Sequence, residues 1–470
     1  MLPVKNKMVT LQQINSHYCR VVGSDAHQLL VWDALSYEVN SRIHGKPGIH
    51  KITRSFLDRR GNKFPFGLAG FVSEKLSKDG YEVEVQEIDY KFKKKLLPKL
   101  EGIKFEDYQK RIISLAGRHN RGIFVAGTGS GKTVIAAGII AKYDIPMSLF
   151  VTINKSIYNQ TLTDFEKWFP DIEIGRVGDS ECFVGHITVA LYQSLSRWDL
   201  RKYNSQLELV IVDEVHSAGK SINKIMKQFT NVPLRFGLTA TPHLEDGNKQ
   251  KFFEMLGNVG SIITEVQDEE VKARVTDVEV HMINYFCLKP KGSDYRESYQ
   301  RDILLSKIRN TKLLNKAKEL ALDHNKTCLF MVKEIRHADE IARLARGMGL
   351  KPHIVHSEKN EKENEKIRKL LEEKKILLVI ATQKWGTGTN IQNIECVVPC
   401  SVRESYIDLI QNIGRGRRKT KEKDTLIVID SMDKLKSDKR KKFYDYFNDY
   451  SMKRYAIYQN KGWLVNEKAV

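Results

Sequence analysis

The chain has 470 residues, enough for about three domains at roughly 150 residues each, which excludes a single small module. It carries 78 Lys and Arg residues against 58 Asp and Glu, a formal net charge of +20, and 41% of its residues are hydrophobic. This composition excludes a basic disordered tail. It indicates a globular protein with a polyanionic partner, either nucleic acid or an anionic membrane surface.

Membrane insertion is not expected, because the longest apolar runs, such as Ile376–Ala381, fall far short of the roughly 18 residues that a spanning helix needs. The first 20 residues lack the pattern of a secretory signal, so we expect a cytoplasmic protein with no membrane partner. Of the six cysteines, Cys396 and Cys400 are closest together and flank an apolar segment, which favours two buried thiols over a metal site.

The positive charge is unevenly distributed along the chain. Residues 1–100 carry a net +7, residues 101–280 a net −2, and residues 281–470 a net +15. A nearly neutral middle between basic flanks suggests that one region performs chemistry while the others bind the polyanion. A solvated, lysine-rich surface is the alternative.

The first 95 residues predict a small, separate α+β domain. A helix is expected over Leu68–Lys78, ending at Gly80, and the alternating segment Tyr81–Gln86 predicts a strand. From residue 96 to 280, short apolar runs alternate with helical stretches, which is typical of a parallel sheet covered by helices. The predicted strands are Ile123–Ala126, Ser148–Val151, Ile187–Ala190, Leu209–Val212 and Arg235–Leu238.

A linker is expected within the acidic stretch Glu265–Glu279, followed by a second α/β lobe over residues 281–435. Its helices are predicted at Ile335–Met348 and Glu361–Glu373. Its predicted strands are Thr327–Val332, His353–Val355, Ile376–Ala381, Glu395–Val398 and Thr425–Ile429. Residues 436–470 form a basic and aromatic segment whose spacing predicts a helix, either packed on a lobe or contacting nucleic acid.

The strongest local signal is a glycine-rich loop between a predicted strand and an apolar helix. Its residues are Gly127, Thr128, Gly129, Ser130, Gly131, Lys132 and Thr133. In this context the backbone N–H groups bind phosphate, Lys132 reaches the β- and γ-phosphate oxygens, and the Thr133 hydroxyl ligates Mg²⁺. We therefore predict an ATP or GTP site.

Two consecutive carboxylates, Asp213 and Glu214, end the strand Leu209–Val212. Coupled to the phosphate loop, Asp213 is expected to hold the Mg²⁺ ion and Glu214 to activate the attacking water. Farther along, Gln411 opens a segment that ends in Arg415, Arg417 and Arg418. Arginines from the second lobe could stabilise the charge on the γ-phosphate and couple hydrolysis to lobe closure.

These elements, in this order, resemble the superfamily 2 helicases of the DExH type over roughly residues 100 to 430. The resemblance implies two tandem RecA-like lobes that bind ATP and Mg²⁺ between them. By residue-wise match, Gln109 contacts the adenine, Arg415 and Arg418 occupy the two arginine-finger positions, and His216 belongs to the DExH motif. Thr239 and Thr241 match the motif that couples nucleotide state to DNA binding. The positions that match strand-contacting motifs are Thr152, Tyr192, Gln193, Thr382 and Gly386.

Within that superfamily, Phe64–Leu68 and Gly80–Val83 resemble the UvsW-type branch-migrating helicases of phages. This resemblance implies that the N-terminal domain, residues 1–95, engages branched DNA. It also implies a monomeric enzyme that remodels forks, R-loops and Holliday junctions in recombination, repair and replication, within the host-cell cytoplasm. An RNA helicase is one alternative. A motor subunit of a restriction or nuclease complex is another, because Asp79, Asp89 and Lys91 superficially resemble a nuclease set, although the carboxylates of an exposed strand explain them better.

Overall fold

The computed structural model describes most of the chain. The described residues divide into two compact units whose boundary lies between Gln267 and Asp268, with Gly129 and Ser130 grouped with the second unit. The described ranges are 7–41, 50–95, 99–127, 129–197, 200–215, 225–240, 262–271, 275–287, 295–356, 361–382, 393–401, 406–420, 423–435 and 445–466.

The first unit begins with an α+β subdomain. Its described elements are β1 (Met8–Gln13), β2 (Tyr18–Val22), α1 (Asp25–Ala34), β3 (Ser36–Ser41), β4 (His50–Ser55), β5 (Phe64–Pro65), α2 (Ala69–Lys78) and β6 (Glu82–Gln86). Among the described residues, one sheet has the order β5-β2-β1-β6, and β3 pairs separately with β4. Helix α2 and strand β6 confirm the two elements predicted here. Asp89 and Lys91 lie beyond the end of β6 and are therefore not on a strand. Their side chains are more than 80% exposed.

The second part of the first unit is a sheet of mainly parallel strands. Its described strands have the order β10-β9-β11-β8-β12-β13-β7-β14, and all pairs are parallel except β9 with β10. The elements are α3 (Asp107–Ala116), β7 (Arg121–Val125), α4 (Lys132–Lys142), β8 (Met147–Thr152), α5 (Lys155–Trp168), β9 (Ile174–Gly178), β10 (Glu181–Phe183), β11 (Ile187–Leu191), α6 (Tyr192–Leu195), β12 (Leu207–Val212), β13 (Leu234–Thr239) and β14 (Ile262–Glu265).

The two parts of the first unit share buried polar groups. Arg235, which is 0% exposed, contacts His17 Nδ1 through Nη1 at 3.2 Å and donates to the Val232 and Phe229 carbonyls. Arg121 donates to the Ser16 carbonyl at 2.6 Å. The N-terminal subdomain is therefore anchored to the parallel sheet through the buried Arg235 and the half-buried Arg121.

The second unit is built on one parallel sheet. Its described strands have the order β17-β18-β16-β19-β20-β15-β21. The elements are β15 (Asp277–Cys287), α7 (Tyr295–Tyr299), a π-helical turn (Gln300–Leu304), α8 (Lys307–Asp323), β16 (Cys328–Val332), α9 (Ile335–Gly347), β17 (His353–Val355), α10 (Glu361–Glu372), β18 (Leu378–Thr382), β19 (Cys396–Pro399), α11 (Tyr406–Gly414), β20 (Thr425–Leu435), α12 (Tyr446–Asn460) and β21 (Leu464–Asn466).

These two parallel sheets confirm the predicted α/β architecture. The boundary between the two units falls within the stretch Glu265–Glu279, where a linker is predicted; strand β14 ends at Glu265 and β15 begins at Asp277. Strand β15 pairs with β20 along its whole length, from Asp277 to Cys287. The division of the chain at residues 95, 280 and 435 stays a prediction.

A buried network of charges joins α8, β20 and α12. Arg309 donates to Asp433 at 2.9 Å and to the Cys400 carbonyl at 3.1 Å. Arg454 donates to both oxygens of Asp430, at 2.8 and 3.1 Å. All four side chains are at most 1% exposed. The C-terminal helix therefore packs on the second sheet through ion pairs as well as through apolar contacts.

Candidate ATP-hydrolysis site

The phosphate loop lies between strand β7 and helix α4, as the sequence predicts. Gly129 and Gly131 have φ of +88° and +77°, in the left-handed region that favours glycine. Gly131 is the residue before the helix, and its carbonyl accepts from Ile135 N at 3.0 Å. Gly127 and Ser130 belong to the same loop, whereas Thr128 lies outside the described residues. The loop thus leads directly into a helix N-terminus, which favours bound phosphate.

Strand β12 delivers the two carboxylates next to β8. Asp213 N donates to the Val151 carbonyl at 2.8 Å, and the Asp213 side chain is buried. Glu214 has φ of +45°, a conformation that is uncommon for a residue other than glycine and that clusters at functional sites. His216 lies outside the described residues.

Lys132 and Glu214 form an ion pair within this site. Lys132 Nζ lies 3.0 Å from Glu214 Oε1, and the two side chains are only 12% and 17% exposed. Burial opposes the charge of Lys132, but the Glu214 and Asp213 carboxylates outweigh it and raise the pKa of the lysine. Burial and the Glu214 charge together raise the pKa of Asp213. The two motifs therefore meet at one electrostatically coupled site.

The oxygen atoms at this site suit a magnesium ion. Asp213 Oδ1 is buried and has no hydrogen-bond partner among the described residues. Thr133 stands in the first turn of α4, half-buried, with a hydroxyl as the available donor atom. Magnesium takes few protein oxygens and keeps several waters, so an orphaned carboxylate oxygen with a nearby nucleotide-binding loop fits it.

Gln109 is positioned by helix α3. It is fully buried, and its Oε1 accepts from the Glu106 backbone N–H at 3.1 Å in a capping box. Its Nε2 lies 3.4 Å from the Tyr108 hydroxyl. A contact of Gln109 with adenine stays a prediction.

Thr239 lies at the end of β13, beside the phosphate loop. Its carbonyl accepts from Ala126 N at 2.8 Å, and its side chain is buried. This backbone bond gives a direct physical connection between the predicted coupling motif and the phosphate loop. Thr241 lies outside the described residues.

The predicted nucleic-acid contacts differ in accessibility. Thr152 and Thr382 end strands β8 and β18 and are 1% and 6% exposed. Gln193 is exposed, and its Nε2 donates to the Ile153 carbonyl at 3.0 Å. Tyr192 is half-buried against the core of the first unit. Gly386 lies outside the described residues.

The second unit carries Gln411 in helix α11, followed by the three arginines. Arg415 Nη1 lies 3.8 Å from Met331 Sδ, and Arg418 forms a β-bridge with Val275. The Arg417 guanidinium lies over the Trp463 ring, 5.7 Å from its centroid. Arg417 is therefore engaged by the C-terminal segment.

Sequence reasoning missed Lys423, which is buried beside these arginines. Its ammonium donates to the Gly416 carbonyl at 2.5 Å and to the Ile394 carbonyl at 2.6 Å. No sequence signal could have found it, since it stands in the charged run Lys419–Asp424 and looks like a solvated lysine.

Two further expectations concern metals and membranes. Cys396 and Cys400 are both fully buried thiols, as predicted, and among the described residues no cluster of three His, Cys, Asp or Glu side chains could hold a metal ion. No helix in the described part of the chain is long and apolar enough to cross a membrane.

Two protein-family models match the chain. The ResIII model, described as the res subunit of type III restriction enzymes, matches residues 102–244. The model of the helicase conserved C-terminal domain matches residues 311–420. Together they span more than half of the chain and include both the carboxylate pair and the arginine segment.

Relatives and solved structures agree with these matches. The ATP-dependent DNA helicase uvsW of Enterobacteria phage T4 is 27% identical over 422 residues, covering 82% of this chain and 83% of that protein. Putative helicase 22 of Sulfolobus islandicus filamentous virus is 28% identical over 342 residues, covering 66% of this chain and 60% of that protein. The structure of S. cerevisiae Dbp5 bound to RNA and ADP BeF3 matches with a TM-score of 0.51 at 15% identity, over 77% of this chain and 90% of that one.

The structural similarity to Dbp5 concerns the fold, and it agrees with two RecA-like lobes. The family models, in turn, match the regions that hold the phosphate loop, the carboxylate pair and the arginine segment. The chain therefore belongs to superfamily 2 of the helicases, enzymes that couple ATP hydrolysis to the unwinding of nucleic acid.

Proposed function

We propose that this chain is an ATP-dependent DNA helicase or translocase that unwinds or branch-migrates forked and junction DNA, including R-loops. The observation that carries the hydrolytic part is the half-buried Lys132–Glu214 ion pair beside the buried Asp213. The choice of DNA rests on the relationship to uvsW of phage T4, which spans 82% of this chain and 83% of that protein.

In this proposal, the phosphate loop binds the ATP phosphates and Lys132 exchanges its contact with Glu214 for the β- and γ-phosphates. Releasing Glu214 from that ion pair frees a carboxylate to orient the attacking water and accept its proton. A bound Mg²⁺ ion, held by Thr133 and Asp213, would neutralise phosphate charge. Arg415 and Arg418 supply positive charge to the γ-phosphate, with Gln411 beside them.

DNA contacts are proposed at the ends of the parallel strands. Thr152, Tyr192 and Gln193 of the first unit and Thr382 of the second would bind one strand by its phosphates, so recognition depends on DNA structure, not on sequence. Thr239 would transmit the nucleotide state through its backbone bond to Ala126. We further propose that the enzyme acts as a monomer in the cytoplasm, within a host cell if a phage encodes it.

The first test is substitution of the phosphate-loop lysine. Lys132→Ala is expected to abolish DNA-stimulated ATP hydrolysis while DNA binding is retained. Lys155→Met is the matched control, because Lys155 pairs with Asp179 at an exposed site and should keep full turnover. Full hydrolysis by Lys132→Ala would refute the assigned phosphate loop.

The second test concerns the arginines. Arg418→Ala and Arg415→Ala are expected to lower kcat for ATP by about 10³-fold or more with little change in ATP affinity, as for other arginines that act on the γ-phosphate. Arg417→Ala is the internal control, since its guanidinium lies over Trp463. Equal losses in all three variants would contradict the assignment.

The choice of substrate needs a direct comparison. ATP hydrolysis and strand separation should be measured on DNA forks, Holliday junctions, R-loops and RNA duplexes, with and without ATP. The proposal predicts greatest activity on branched DNA. Stimulation by RNA duplexes alone would favour the RNA-helicase alternative.

The match to the ResIII model supports a second candidate, the motor subunit of a restriction complex. Such a motor is expected to translocate on linear duplex DNA without separating its strands. ATP hydrolysis that depends on linear duplex length, with no unwinding of forks, would favour that function over branch migration.

A further inference from the structure

Lys423 is a buried lysine that the mechanism above does not use. It is 3% exposed, and its ammonium donates to the Gly416 carbonyl at 2.5 Å and to the Ile394 carbonyl at 2.6 Å. Among the described residues, no carboxylate lies within ion-pair distance of it. Glu395 is close enough to favour its charge, but that carboxylate contacts Lys374 at 3.1 Å and Thr327 N at 3.2 Å. The ammonium therefore serves backbone carbonyls.

The segment that Lys423 holds is the one that carries the arginines. Gly416 lies between Arg415 and Arg418, and its Cα is packed so closely that an added Cβ would lie 2.5 Å from Leu426 Cδ1. The neighbouring Arg417 carbonyl accepts from Thr276 N at 2.7 Å. Lys423 and Thr276 thus anchor successive carbonyls of the same short loop.

Folding stability alone does not explain why a charged side chain stands at position 423. A buried ammonium without an ion-pair partner is costly, and an apolar side chain of similar length would avoid that cost. Burial lowers the pKa of Lys423 to about 8, against the opposing effect of Glu395, while Lys326 and Lys374 lower it further. Two features offset the cost of burying the ammonium: both carbonyls need hydrogen-bond donors, and the loop must keep one conformation.

We propose that Lys423 is a positioning residue for ATP hydrolysis, whose ammonium fixes the Gly416 carbonyl so that Arg415 and Arg418 are presented in one arrangement. This inference rests on the proposed role of those two arginines. A displacement of about 1 Å in a catalytic group can cost about 10²-fold in rate, so loosening the loop is expected to affect turnover more than nucleotide binding.

The test is Lys423→Met in the full-length chain. We expect kcat for ATP to fall by about 10- to 100-fold, with KM for ATP within about twofold of wild type. Lys419→Met is the matched control, because Lys419 stands four residues away, pairs with Asp424 at the surface, and should retain wild-type turnover. Folded fraction is measured by circular dichroism and thermal melting for each variant.

A double-mutant cycle separates positioning from a purely structural role. In a background that carries both Arg415→Ala and Arg418→Ala, Lys423→Met should lower kcat by less than about threefold, because both arginines that it positions are already absent. An equal loss in both backgrounds, or an unchanged kcat in folded Lys423→Met, overturns the inference. If Lys423→Met does not fold, Lys423→Gln, which keeps two N–H donors, should fold with intermediate turnover, and wild-type turnover in that variant overturns the inference too.

Failure of the proposed function has a different signature. If wild type itself shows no ATP hydrolysis with any nucleic acid, the helicase assignment fails and this inference fails with it. If wild type is active and Arg418→Ala is impaired while Lys423→Met is not, the failure belongs to the inference about Lys423 alone.

Discussion

Removing Arg454 should detach the C-terminal helix from the second unit. Arg454 is 1% exposed and donates to both Asp430 oxygens and to the Ser431 carbonyl. Substitution Arg454→Met keeps the bulk of the side chain but leaves Asp430 as an uncompensated buried carboxylate. Breaking a buried pair in this way costs about 3–5 kcal/mol. The Tyr458 hydroxyl, 2.6 Å from Asp430 Oδ2, limits the loss, so we expect a value near 3 kcal/mol.

Hydrogen exchange of helix Tyr446–Asn460 measures this loss directly. A decrease of about 3 kcal/mol in opening free energy corresponds to exchange that is about 10²-fold faster. Lys453→Met is the control on the same helix, because Lys453 pairs with Asp449 at the surface, where such pairs contribute at most about 1 kcal/mol. Equal protection in the two variants would refute the claim that the buried network holds the helix.

Three further predictions concern single positions. Glu214→Gln should lower kcat by about 10²–10⁴-fold, because the attacking water loses its general base, while a binding assay should show unchanged ATP affinity. A smaller loss of kcat would show that another residue is the general base. Gly416→Ala should lower the free energy of unfolding by about 1–3 kcal/mol in thermal melts, because its Cβ would overlap Leu426, whereas Gly347→Ala, with open space around it, should be nearly neutral. Burial, with the Arg235 charge, lowers the pKa of His17 to about 2, so its contribution to folding stability is present above the unfolded pKa of 6.5 and is lost as pH falls. Between pH 6.5 and 5, the free energy of unfolding of wild type should fall by about 2 kcal/mol more than that of His17→Gln. Parallel plots of unfolding free energy against pH for the two proteins would contradict this.

Most strands and helices could be predicted because the chain alternates short apolar runs with helical periodicity. Strand β20 shows where that pattern fails. The prediction ends at Ile429, whereas the strand continues to Leu435, through Asp430, Ser431 and Asp433. These polar residues are buried because Arg309 and Arg454 neutralise the carboxylates, and such tertiary pairing leaves no local pattern in the sequence.

The candidate site likewise contains residues that the local sequence predicts and contacts that it does not. The residues whose role follows from local chain geometry, such as Gly131 before a helix and Asp213 after a strand, are where the sequence predicts them. The pairing of Lys132 with Glu214 and the burial of Lys423 depend on elements that are distant in sequence. Neither residue type nor spacing specifies those contacts.

The contacts that anchor the N-terminal subdomain also determine whether it can be separated from the rest of the chain. Because Ser16 and His17 meet Arg121 and Arg235, cutting the chain after residue 95 would expose Arg235, which the intact protein buries, and Arg121, which it half-buries. The subdomain is therefore not a detachable accessory. We expect that transplanting it onto another motor would require these arginines to travel with it, and that exchange of such domains between relatives is constrained by this interface.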